Sequence, residues 1–106
     1  MATYVVLLNF THEAKRTLGD TRGLDQAKHG VEALGGTWKA WYLTFGQYDA
    51  VVIMEAPDDE TAARIALAQG ATGMVHSQTL RAFSEDEYRQ LAASLPGTPE
   101  ARPAGD

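Results

Sequence analysis

The sequence predicts an α+β fold of order βαββαβ, a split βαβ arrangement with one added helix. Three observations predict it. Two apolar runs, residues 4–8 and 50–54, read as strands apolar on both parities. A short link, Gly46-Gln47-Tyr48-Asp49, joins the second of them to an aromatic, β-rich run and marks a hairpin. The stretches before and after that hairpin read as two copies of one strand–helix pattern.

The first strand is expected over residues 4–10, closed by Asn9 and Thr11. Residues 11–23 are polar and broken by Gly19 and Gly23, so a loop with at most one helical turn is expected. From Leu24 the spacing becomes helical: Leu24, Ala27, Val31 and Leu34 share one face. Gly35-Gly36 supplies the stop. The second strand spans residues 37–44. Regular alternation puts Trp38, Ala40, Tyr42 and Thr44 on one face, and Lys39, Trp41 and Leu43 on the other.

Past the hairpin, Pro57-Asp-Asp-Glu60 is a helix start, with acids at the positive end of the helix dipole. Ala62, Ile65 and Ala66 form the buried stripe of that helix. Gln69, next on the same face, is polar, so the stripe fades. The fourth strand is expected over residues 74–83. Ser84-Glu-Asp-Glu87 then reads as a capping box, followed by the apolar row Tyr88, Leu91, Ala92 and Leu95. Residues 1–95 form the single domain, and the Pro-, Gly- and Ala-rich residues 96–106 read as a disordered tail.

The whole is a ferredoxin-like subunit with an antiparallel sheet and both main helices on one face. The strands are apolar on both faces, yet helices cover one. A second copy stacking sheet on sheet, as a homodimer closing a dimeric α/β barrel, resolves this; the alternative has the third helix fold back over that face.

The 106-residue chain carries a formal net charge of −5 and no cysteine. The scattered Lys and Arg argue against nucleic acid and against anionic membrane surfaces as partners. The missing thiols exclude disulfides and cysteine chemistry. No apolar run is long enough to span a membrane, and the cytoplasm is the expected compartment.

Four stretches carry a family resemblance: Tyr4-Val-Val-Leu-Leu-Asn-Phe-Thr11, Trp41-Tyr-Leu-Thr-Phe-Gly-Gln-Tyr-Asp49, Glu55-Ala-Pro-Asp-Asp59 and Thr79-Leu-Arg-Ala-Phe-Ser84. In order and over about residues 3–95, they resemble the GYD domain family of small bacterial proteins. One residue, Gln47, separates the Gly and Tyr of the signature here. The resemblance implies a dimeric α/β barrel. It implies no activity and carries no catalytic residue over.

Chemistry is therefore sought in the residues themselves. His76, Asp49 and Tyr42 are the acid–base candidates, each with a structural alternative. His76 alternatively hydrogen-bonds at a sheet edge, and Asp49 alternatively binds turn amides. Asn9, Trp41, Tyr48, Thr79 and Arg81 are the ligand-binding candidates. Arg81 suits an anionic group, or else pairs with Glu55 or a C-terminal acid. His76 and Arg81 have opposite parity, so a regular strand sends one of them into the space between stacked sheets. Trp38 and Trp41 are expected on opposite faces. No metal motif or phosphate loop occurs, and the sequence names no cofactor. The expected function is binding of a small hydrophobic or aromatic molecule, extending to a cofactor-independent enzyme. The alternative is a non-catalytic assembly or ligand-sensing module.

Overall fold

The computed structural model describes residues 1–97. Its elements are β1 (Ala2–Phe10), α1 (His12–Lys15), α2 (Arg22–Ala33), β2 (Thr37–Leu43), β3 (Ala50–Ala56), α3 (Asp59–Ala71), β4 (Val75–Ala82) and α4 (Glu85–Ala93). The tail expected from residue 96 lies, from residue 98 on, outside the described residues.

The four strands form one antiparallel sheet in the order β2-β3-β1-β4. This is the ferredoxin-like arrangement that the element order predicted. Each βαβ unit steps over one strand, and α2 and α3 cover the same face.

Register fixes which side chains face the helices. Tyr4 stands opposite Met54, and Val6 opposite Val52. Tyr4, Met54 and Val52 belong to the core with Val31, Ala62 and Ile65, and the half-buried Val6 packs against it. Met54 is its largest fully buried side chain. The same face of β4 carries Ser77, Thr79 and Arg81, opposite Leu8, Val6 and Tyr4.

The α2–β2 link is tight. Gly35 has φ +98°, where a side chain would be strained, and it ends the helix. A Cβ on Gly36 would lie 2.8 Å from Ile65 Cδ1 and 2.9 Å from Val31 Cγ1. That glycine lets the chain turn directly under the two helices.

One expectation about β2 is corrected. The β2–β3 register shifts between Trp38 and Ala40, leaving Lys39 as an inserted residue. Trp38 faces Met54 and Trp41 faces Val52, so both indoles lie on the helix side. Ala40 and Tyr42, opposite Ile53 and Val51, point the other way.

The opposite face carries Val5, Leu7, Asn9, Val51 and Ile53 on the two central strands, with Tyr42, His76 and Leu80 on the edges. No helix covers it. α4 starts on a complete Ser84–Glu87 capping box, but it buries no residue of its own. Tyr88, Leu91 and Leu95 are exposed, so α4 is not folded back over the sheet.

Candidate functional site

A large concavity lies between the helices and the sheet, not on the open face. It is a cleft of about 820 Å³, within the range typical of small-molecule sites. Its floor is Val6 and Leu8 of β1, Val52 and Met54 of β3, and both indoles of β2. α2 contributes Leu24, Ala27 and Val31; α3 contributes Ile65, Ala66 and Gln69. The segment from α1 to the start of α2 forms the mouth, with Ala14, Leu18, Asp20 and Arg22.

The sequence explains why this space is unfilled. The sheet-facing row of α3 runs Ala62, Ile65, Ala66, Gln69. Small residues at that spacing let a helix pack close to a sheet. Here they leave volume beside β4, where Ser77 and Thr79 present short side chains as well. Polar groups gather on that wall. No hydrogen bond among the described residues engages the Ser77 or Thr79 hydroxyl. Gln69 Nε2 donates only a long bond, 3.4 Å, to the Ala27 carbonyl.

The charged lining side chains are Asp20 and Arg22, and they bind each other. Arg22 Nη2 donates to Asp20 Oδ2 at 2.6 Å, and Nε donates to both carboxylate oxygens. Both groups are exposed. Among the described residues the cleft therefore offers apolar contact and hydroxyl or amide hydrogen bonds, with no titratable group beyond that paired couple at its mouth.

The structure places the sequence candidates in three groups. Trp41 and Thr79 line the cleft. Arg81 lies beyond its end, in a second concavity of about 250 Å³ with Tyr4, Asp59 and Ala62. Its guanidinium sits 4.3 Å over the Phe83 ring centroid and 5.7 Å from that of Tyr4. Glu55, its expected partner, instead lies 3.9 Å from Lys39. The Tyr4 hydroxyl donates to Asp59 Oδ1 at 2.5 Å. That bond first, and burial second, hold the phenol above its ordinary value.

The third group lies away from the cleft. Tyr42 and His76 are on the open face, on the two edge strands. Three strand spacings separate those edges, about 14 Å, so the chain does not bring these two to a common reacting atom. Asp49 is held by backbone: its Oδ2 accepts the Phe10 amide at 2.8 Å, and its own amide donates to the Leu8 carbonyl at 2.8 Å. Asn9 Nδ2 donates to the Gln47 carbonyl, and the Tyr48 hydroxyl donates to Gln78 Oε1, both at 2.8 Å. Asp49, Asn9 and Tyr48 thus tie the hairpin turn to β1 and β4.

Ser77 and Gln69 complete the cleft, and Trp38 joins Trp41 on its floor. Gln69 left a trace in the sequence, as the polar position on an otherwise apolar row. No group of three or more His, Asp or Glu among the described residues is placed to hold a metal ion.

Fold and cleft together define a ferredoxin-like α+β domain with a helix–sheet pocket. The family model of the GYD domain matches residues 4–92, and the chain belongs to that family. No curated protein and no solved structure matches it. Among the described residues, no helix is long and apolar enough to cross a membrane.

Proposed function

We propose that this chain is a small-molecule-binding protein, built as a dimeric α/β barrel, that takes an apolar ligand in the helix–sheet cleft of each subunit. The observation that carries the reading is the cleft itself: about 820 Å³ floored by Trp38, Trp41 and aliphatic side chains. Space of that size beside two indoles is expensive to leave to water and cheap to fill with an apolar molecule.

Between a cofactor-independent enzyme and a ligand-sensing module, the lining favours the second. General acid–base chemistry needs a titratable group within hydrogen-bond reach of the substrate. Asp20 and Arg22 are already committed to each other, and His76, Asp49 and Tyr42 are elsewhere.

The uncovered sheet face supports self-association. Val5, Leu7, Val51 and Ile53 form its centre, and Phe45 at the hairpin tip is fully exposed. A twofold copy would bury these residues in a sheet-on-sheet interface.

Native mass spectrometry of freshly purified protein, with thermal-shift screening, tests the ligand reading. A co-purified small molecule, or a rise in Tm with an apolar or aromatic compound, is expected. No bound mass and no shift across a panel of such metabolites would overturn it.

A further inference from the structure

We propose that the cleft selects an uncharged, flat, apolar molecule bearing one hydroxyl or carbonyl, and that Ser77 and Thr79 read that polar group. This rests on the cleft being a ligand site and adds the chemistry of what enters it.

The charge argument comes first. A buried carboxylate or phosphate needs a cation to offset its lost hydration. The cationic side chain in the lining, Arg22, already shares three hydrogen bonds with Asp20. A ligand ammonium fares no better, because the lining carboxylate is the other half of that pair. Charged ligands must therefore break the ion pair at the mouth or enter unpaired. A neutral ligand does neither.

Shape follows from the floor. Trp38 and Trp41 face Met54 and Val52 from one side of β2, so aromatic and aliphatic surface runs without interruption along the sheet. Flat rings gain most against such a surface. The polar requirement follows from β4. Ser77 and Thr79 are two residues apart on one face, about 7 Å along the strand. Gln69 reaches the same wall from α3. A ligand oxygen placed there finds donors and acceptors; a purely hydrocarbon ligand strips their water and returns nothing.

A matched naphthalene series tests this by isothermal titration calorimetry at pH 7, using 2-naphthol, 2-methylnaphthalene and 2-naphthoate. We expect 2-naphthol to bind tightest, by about tenfold or more over 2-naphthoate. The double variant S77A/T79V should bring 2-naphthol down to the affinity of 2-methylnaphthalene. Its own 2-methylnaphthalene affinity should rise, because the hydroxyls no longer have to be desolvated, and its far-UV CD should match that of the wild type, which shows that the variant is folded. Equal binding of 2-naphthoate and 2-naphthol overturns the selection of neutral ligands. Retained preference for 2-naphthol in the double variant overturns the role of the two hydroxyls. Failure of all three probes to bind counts against the cleft as an apolar site, and so against the reading beneath.

Discussion

Trp38 and Trp41 lie on the same face of β2, although three residues apart in a strand. The inserted Lys39 shifts the register with β3 and brings both indoles under α2 and α3. A regular strand would send one of them to the open face. The aromatic floor of the cleft therefore depends on a single bulged residue.

Both tryptophans should report on a ligand. In W38F and in W41F, the remaining indole should still change its emission when 2-methylnaphthalene is added. W41A should weaken that probe about threefold to tenfold. A variant whose remaining tryptophan stays silent would place that indole outside the cleft.

Asp49 should matter for stability and not for binding. Its carboxylate accepts the Phe10 amide at the end of β1, and its backbone joins Leu8. D49A removes the acceptor and leaves a half-buried amide without it, at a cost of about 1–3 kcal/mol. Urea unfolding should show this loss, while the Kd for 2-naphthol stays within error. An unchanged stability would show that the turn holds without its side chain.

Met54 marks the limit of what the core tolerates. It is 1% exposed, at the centre of the layer shared by Tyr4, Val31 and Ile65. M54A should lose about 2–5 kcal/mol by denaturant titration. A loss below 1 kcal/mol would mean that the neighbouring cleft collapses into the space.

The fold was legible because its signals are periodic. The row Leu24, Ala27, Val31 and Leu34 located α2, and the doubly apolar runs located β1 and β3. The site was less legible because it depends on a bulge and on handedness. Nothing about Lys39 announces that it is extra, so alternation separated the two tryptophans. The parity of β4 divided Ser77, Thr79 and Arg81 from His76 correctly. It did not say which set faced the helices. That depends on the crossover, which turns the hydroxyls inward and His76 outward.

Acid should destabilise the helix starts first. Asp58 Oδ1 accepts the Thr61 amide at 2.8 Å, and Glu87 Oε1 accepts the Ser84 amide at 2.9 Å. These backbone bonds hold both carboxyls below their ordinary values. A lowered folded-state pKa gives stability that is complete above the unfolded value and lost as pH falls through the folded one. The Tm should be flat near neutrality and fall below about pH 4. Asp20 is lowered too, by Arg22. That pair is two residues apart and can form in the unfolded chain, so it should add little. D58N and E87Q should each flatten the acid limb, whereas D20N should leave it as it is. A steep limb in the D58N/E87Q double variant would assign acid lability to other groups.

The open face should decide the oligomeric state. Ile53 sits at its centre, opposite Val5 on one side and Ala40 on the other. Sedimentation of the wild type should give at least twice the 11.5 kDa chain mass. I53D places a carboxylate where two sheets would meet, with no cation directly across in the ladder, so it should yield a monomer. Its far-UV CD should remain that of the wild type, because the helix-side core is untouched. The cleft lies on the other side of the sheet, so the I53D monomer should still bind 2-naphthol. Loss of binding on dissociation would instead show that the partner subunit helps to shape the cleft. A wild type that stays monomeric at micromolar concentration would remove the barrel, and the half-buried Val5, Leu7, Val51 and Ile53 would then need another occupant.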